Sequence, residues 1–228
     1  LHPRVRRQRQ MCIRDRFNNV SKEIKKRKLL NNVNFQVSEQ SIIALEGING
    51  SGKTLILEAL LGLIKVSGTI KINGNIVDTT KPFPIKAGIM IENPSIIEEF
   101  NAYQNLDLLR QLDPEVHTEK ITELLTYFEL NKFPKQKTKH FSLGMKQKLG
   151  IAQALLGQYP LIILDEPTNA LDADSLTKLK EKIINYQSKG TTFIIASHDH
   201  EFLKSIATKH LIAVSYTHLR AHETRHDL

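Results

Sequence analysis

Lys53 and Thr54 close the octapeptide Gly47-Ile48-Asn49-Gly50-Ser51-Gly52-Lys53-Thr54, whose spacing is that of a phosphate-binding loop. Glycines let the backbone turn tightly enough for successive N–H groups to point at phosphate oxygens, and a helix starting there adds the positive end of its dipole. In that arrangement the Lys53 ammonium reaches the β- and γ-phosphates of a nucleoside triphosphate, and the Thr54 hydroxyl meets Mg²⁺. A glycine-rich turn with an incidental lysine is the plainer alternative. A second group lies at Leu161-Ile162-Ile163-Leu164-Asp165-Glu166, four apolar residues that end in two carboxylates. At the carboxyl edge of a buried parallel strand, Asp165 would help hold Mg²⁺ through water. Glu166, one residue further out, would orient and deprotonate an attacking water. The alternative there is a strand ending in a solvated acidic turn. The third group is Ser197-His198-Asp199 after another apolar run, where the His198 imidazole could donate to a γ-phosphate. His200 and His210 are assigned no role.

These groups need elements to bring them together. Residues 41–45 predict a short buried strand before the loop, and residues 55–64 an apolar helix after it. Residues 33–37 alternate apolar and polar, as a half-buried strand does. Residues 69–77 predict a hairpin around Asn73-Gly74, the pair a type I′ turn favours. A further strand is expected at 87–91. From 101 to 139 the pattern is helical. One expected apolar face is Leu106, Leu108, Leu109 and Leu112; after Asp113-Pro114 the other is Ile121, Leu124, Leu125, Phe128 and Leu130. Helix 144–156, strand 161–164, helix 174–187 and strand 191–197 then alternate. That order argues for a parallel sheet covered on both faces.

The 228 residues suit one domain with a sizeable core. No apolar run approaches the ~18 residues that span a bilayer. The basic start lacks the apolar stretch of a signal peptide, and a single cysteine excludes a disulfide framework. The net charge of +8 is concentrated at one end: residues 1–16 hold six arginines and one aspartate, residues 213–228 are neutral, and +3 remains for the body. That distribution gives no nucleic-acid surface.

The two ends stand apart. Met11-Cys12-Ile13-Arg14-Asp15-Arg16 and Ala213-Val214-Ser215-Tyr216-Thr217-His218 can be encoded by opposite strands of one DNA element of about 17 bases, ATGTGTATAAGAGACAG and its complement. The element resembles the transposon mosaic end of sequencing-library adapters. Residues 1–16 and 213–228 are therefore expected to be adapter-encoded, with 17–212 an incomplete native segment. A natural basic arm and a His-rich tail, binding nucleic acid or metal, are the alternative.

In order and spacing, the phosphate loop, Asp165-Glu166-Pro167-Thr168-Asn169-Ala170-Leu171-Asp172 and Ser197-His198-Asp199 resemble the nucleotide-binding domain of ATP-binding cassette (ABC) proteins across nearly all of 17–212. The family's signature, usually L-S-G-G-Q, is matched by Phe141-Ser142-Leu143-Gly144-Met145-Lys146-Gln147-Lys148. This variant is similar to that of bacitracin- and lantibiotic-type exporters. The resemblance implies an α/β P-loop NTPase fold: a RecA-like core, an antiparallel β subdomain and an inserted helical subdomain at about 93–148. It implies ATP and Mg²⁺ as ligands, with residues 47–54 around the phosphates. It also implies a head-to-tail dimer with a second ABC domain, in which Ser142 and Gly144 cap the γ-phosphate of the partner subunit and Asp172 serves the D-loop.

Two positions depart from the family pattern. Glu92 stands where a glutamine is usual, still able to meet Mg²⁺ or water, and Ile24 stands where an aromatic residue usually stacks on adenine. The implied protein is an ATPase that powers a separate transmembrane permease from the cytoplasmic face of the cell membrane, exporting peptide antibiotics or similar amphipathic compounds. The alternatives are a cassette acting on ribosomes or DNA, and a truncated module that binds ATP without turnover.

Overall fold

The structure, a computed structural model, describes residues 13–48, 50–214 and 218–222. The chain opens with a long antiparallel hairpin, β1 (Ile13–Ile24) and β2 (Arg27–Ser38). The phosphate-loop strand β3 (Ile42–Glu46) and helix α1 (Lys53–Leu60) follow. β4 (Ser67–Ile72) and β5 (Asn75–Ile76) then return to the first hairpin, making a four-stranded antiparallel sheet in the order β2-β1-β4-β5. The turn between β4 and β5 is Asn73-Gly74 with φ of 48° and 79°, the left-handed pair a type I′ turn requires.

The second sheet holds the site. β6 (Ala87–Met90), β7 (Leu161–Asp165), β8 (Thr192–Ser197), β3 and β9 (Lys209–Val214) are parallel neighbours in the order β9-β3-β8-β7-β6. β10 (His218–His222) pairs antiparallel with β9 at the outer edge. The inner strands read as continuous apolar runs because both faces are covered. Successive side chains point to opposite faces. Ile42, Ala44, Ile162, Leu164, Phe193 and Ile195 therefore join one core. Ile43, Leu45, Leu161, Ile163, Ile194 and Ala196 join the other, with α1 and the antiparallel sheet.

The first of these cores is roofed by α2 (Ala102–Gln111), α3 (Thr118–Tyr127), α4 (Leu143–Ala154), α5 (Ala173–Ser188) and α6 (His200–Ile206). Gly88 lets α4 settle on β6: a Cβ there would lie 1.9 Å from the Ala154 carbonyl oxygen. Among the described residues no helix is long and apolar enough to cross a membrane.

Several expectations need correction. α1 stops at Leu60, short of residue 64, because Gly62 takes φ +69° and the Leu63 and Gly62 N–H groups bond back to the Glu58 and Ala59 carbonyls. On α2 only Leu106 of the four leucines is fully buried; Leu108 and Leu112 are 39% and 77% exposed. The Asn101–Gln104 capping box sets where the helix begins, and its buried stripe becomes Ala102, Asn105 and Leu106. Asn105 can lie inside because its amide bonds the Ile97 N–H and the Ile97 and Asn101 carbonyls. The second face, Ile121, Leu124, Leu125, Phe128 and Leu130, is buried throughout.

Strand pairing also crosses both ends of the 17–212 segment, since β1 begins at Ile13, β9 runs to Val214 and β10 covers 218–222. Ladder bonds use main-chain groups that every residue carries, so a chain of any origin can satisfy an open strand edge. Asn49 and residues 1–12, 215–217 and 223–228 lie outside the described residues.

Candidate functional site at the carboxyl edge of the sheet

The phosphate loop leaves β3 at Glu46 and enters α1 through Gly50 and Gly52, both left-handed at φ 79° and 96°. Gly52 is the N-cap of α1 and supplies no side-chain acceptor, so the helix's first N–H groups face the loop uncapped by a side chain. Gly47 is needed for close approach: a Cβ there would sit 2.5 Å from Ser51 Oγ and 2.9 Å from the Ala213 carbonyl oxygen. Ile48 is exposed beside it.

Lys53, 5% exposed, donates from Nζ to the carbonyl oxygens of Gly47 at 2.7 Å and Ile48 at 3.3 Å. The same ammonium lies 3.1 Å from Glu166 Oε1, as an ion pair. Thr54 Oγ1 donates to Asp165 Oδ2 at 2.7 Å. Asp165 is 3% exposed, and burial pushes its carboxyl above the ordinary range, partly offset by the Thr54 hydroxyl. The neighbouring Glu166 charge raises it further, whereas the Glu92 backbone N–H favours the carboxylate.

Glu166 adopts φ 49°, with its N–H on the Ala196 carbonyl at 2.7 Å. Its Oε2 accepts from His198 Nδ1 at 2.8 Å, Ser197 Oγ at 3.2 Å and the His198 N–H at 3.3 Å. An ionised carboxylate only accepts, so His198 presents Nδ1–H to it and leaves Nε2 for another partner. Lys53, Glu166 and His198 thus form one chain of contacts on the sheet edge.

Two buried side-chain oxygens there, Ser51 Oγ and Asp165 Oδ1, have no hydrogen-bond partner, and Glu166 Oε1 has only its ion pair with Lys53. Buried polar atoms are ordinarily satisfied. The two carboxylate oxygens belong to hard anionic donors beside a hydroxyl, a set that suits Mg²⁺ with several waters, and Ser51 Oγ faces the loop.

Among the described residues, the remaining predicted ones make no hydrogen bond to the Lys53, Glu166 or His198 side chains and sit on the elements beside them. Ser142 caps α4, its Oγ accepting the Met145 N–H at 3.2 Å. Gly144 packs against the next turn, where a Cβ would come 2.7 Å from the Ala170 carbonyl oxygen. Asp172 caps α5, and the Ser175 hydrogen bonds hold its carboxyl below the ordinary range. Glu92 is exposed just beyond β6 at φ 56°. Its backbone N–H favours the Asp165 carboxylate, which brings residue 92 to the acidic strand end. Ile24 is exposed near the tip of the first hairpin, whose second strand reaches the loop: Leu29 O lies 3.7 Å from where a Gly52 Cβ would be.

Gln147 lies inside the signature run 141–148, but its residue type gives no sign of this particular contact. Buried on α4, it donates to the Glu166 carbonyl at 2.9 Å and ties the signature helix to the acidic strand. A lone glutamine among lysines in an amphipathic stretch gives no such signal.

An Asp165→Asn exchange keeps an acceptor for Thr54 and removes the buried charge. Because the folded carboxyl pKa is raised, the folded state binds this proton more tightly than the unfolded one. The group's stability contribution therefore falls as pH rises above the unfolded value and is restored on acidification. The asparagine variant should melt higher than the parent without ligand at pH 7. At a ligand excess of about 100-fold over Kd, Mg²⁺·ATP should add about 5–10 °C to the parent's Tm and almost nothing to the variant's. Thermal unfolding with and without Mg²⁺·ATP checks both.

A parallel sheet with a phosphate loop, an acidic strand end and a third strand ending in histidine defines a P-loop ATPase of the cassette class. The family profile described as ABC transporter matches residues 30–169. The chain is 36% identical over 203 residues to the uncharacterized ABC transporter ATP-binding protein YybJ of Bacillus subtilis (strain 168), covering 89% of this chain and 92% of that protein. It is 39% identical over 184 residues to the lantibiotic transport ATP-binding protein SrtF of Streptococcus pyogenes, covering 80% and 79%. A solved ATP-binding subunit of an ABC transporter superposes with a TM-score of 0.83 at 26% identity, over 92% of this chain and 90% of that one.

The chain belongs to the ABC transporter family, as an ATP-binding subunit. It is an ATPase.

Proposed function

We propose that this subunit hydrolyses ATP at the carboxyl edge of its parallel sheet to drive a separate transmembrane permease, and that the exported cargo is a peptide antibiotic or a similar amphipathic compound. The observation that carries the hydrolytic part is the contact chain Lys53–Glu166–His198, at 3.1 and 2.8 Å. Residues 47–54 wrap the phosphates, with Lys53 on the β and γ groups. Glu166 accepts the proton of the attacking water, and His198 turns Nε2 toward the γ-phosphate. Thr54 and Asp165 would hold Mg²⁺, which would supply charge neutralisation at the phosphates. Ser142, Gly144 and Asp172 act across a head-to-tail dimer. Ile24 gives the base apolar contact, and Glu92 lies at the edge of the site.

The export reading rests on the family and on likeness to a lantibiotic transport subunit. It places the chain at the cytoplasmic face of the cell membrane. The cassette spans 17–212, with 93–148 as its helical part, and the flanking residues are adapter-encoded; sequencing the genomic locus decides that point.

Affinity capture of the tagged chain from gently solubilised cells tests the transport reading. A multi-span membrane protein should co-purify in roughly equal amount. Capture of ribosomes or DNA instead would overturn it.

A further inference from the structure

We infer that Glu46 is a positioning residue for hydrolysis, clamped to His200 so that the phosphate loop and the His198 loop keep one spacing. The inference rests on the hydrolytic reading above. Glu46 is the last residue of β3 and immediately precedes Gly47. In the sheet it lies beside Ser197 of β8 on one side and Ile212 of β9 on the other. Its carboxylate reaches outward to two imidazoles. Oε1 is 2.6 Å from His200 Nδ1, and Oε2 is 3.4 Å from His210 Nδ1. His210 is 7% exposed on β9, so a carboxylate beside it offsets the cost of a buried ring N–H. His200 begins α6, two residues after His198.

Together these contacts close a ring. Glu46 is bonded to Gly47, whose carbonyl accepts from Lys53 at 2.7 Å. Lys53 meets Glu166 at 3.1 Å, and Glu166 meets His198 at 2.8 Å. The main chain runs from His198 to His200, and His200 returns to Glu46 at 2.6 Å. Within segment 197–200, Ser197 is held by Glu166 and Thr168, and Asp199 caps its own helix. The His200 contact is a side-chain tie from this segment to the strand that carries the phosphate loop. The β3–β8 ladder, with Glu46 beside Ser197, sets the spacing of the two strand ends, and the His200 contact adds a side-chain restraint on the turn that carries His198. The cluster of one carboxylate and two imidazoles is not a metal site among the described residues. Among the described residues neither Glu46 nor His200 bonds to Thr54 or Asp165, which keeps nucleotide affinity separable from turnover.

The test is steady-state ATPase kinetics on the full chain carrying Glu46→Leu, His200→Ala or both. Loosening the ring should lower kcat about tenfold and leave KM for ATP within about twofold, since small misplacements of reacting groups are costly in rate. The double variant should be no slower than the slower single, because the Glu46–His200 contact is already lost in each. Glu46→Gln keeps an oxygen for the His200 N–H and should recover most of kcat, and His200→Ala, which leaves the Glu46 side chain in place, should show the same loss as Glu46→Leu. If Glu46→Leu does not fold, the exposed His200→Ala change and Glu46→Gln carry the comparison. A kcat within twofold of the parent, a loss confined to KM, or additive losses in the double variant overturns the inference. Glu166→Gln is measured alongside. Turnover that survives it overturns the hydrolytic reading and this inference together; turnover abolished there but unchanged in Glu46→Leu overturns this inference alone.

Discussion

Glu166→Gln should lower ATP turnover by about 10²–10³-fold while leaving ATP binding intact, the range expected when a positioned general base is removed. The change is nearly isosteric. The side-chain oxygen still accepts from His198 and Ser197, and the N–H bond to the Ala196 carbonyl is untouched. What disappears is a carboxylate able to take a proton, held between an ammonium at 3.1 Å and an imidazole at 2.8 Å. With ATP bound and hydrolysis blocked, the two-subunit form should accumulate, so solution mass in Mg²⁺·ATP should double relative to the ATP-free sample. Turnover within threefold of the parent would remove Glu166 from the role of base. A monomer mass in the presence of bound ATP would remove the shared-site arrangement while leaving the chemistry of one site in place.

Lys53→Met should weaken ATP binding about 100-fold, since a charged hydrogen bond to phosphate is worth about 1.5–3 kcal/mol. Methionine has similar length and reach, so packing around the buried stem is largely retained. Two losses follow. The phosphates lose their ammonium, and Glu166 loses its counter-charge, although the hydrogen bonds from His198 and Ser197 remain. Removing one partner of a buried ion pair is destabilising. The unliganded Lys53→Met chain should therefore melt below the parent, and adding Glu166→Gln should recover part of that loss without restoring nucleotide affinity. Calorimetric titration with ATP, paired with thermal unfolding of the single and double variants, separates the two effects. An affinity within threefold of the parent would show that Lys53 is not a phosphate ligand.

The parts of the fold legible in the sequence are those with local signals. Continuous apolar runs marked β3, β7 and β8, and Asn73-Gly74 marked its hairpin. The Ile121–Phe128 spacing marked the buried face of α3. Local pattern misled where a side chain outside it decided burial. On α2, Leu108 and Leu112 carry the expected residue type but face outward, because the Asn101–Gln104 capping box and the internally bonded Asn105 set the helix phase. The site was legible as a set of residue types, and its cross-connections were not. Thr54 and Asp165 are 111 residues apart in the chain, and nothing local to either specifies the 2.7 Å bond between their side chains. Glu46 was invisible as a site residue, and Gln147 was visible only as part of the signature run, because one polar residue at a strand end or on a helix is ordinarily just solvated.

The sequence by itself determined the order of strands and helices from residue 33 to 197, the phosphate loop and the family resemblance, because periodicity and motif spacing are local properties of a chain. β1, α6, β9 and β10 lay outside that reading. Tertiary structure decided that Lys53 and His198 flank one carboxylate, that His198 presents Nδ1 to it and leaves Nε2 for another partner, and that Glu46 and His200 close a ring around them. The physical reason is the parallel sheet. It gathers the ends of β3, β7 and β8 at one edge, so residues remote in the chain meet at hydrogen-bond distance only after the strands have paired.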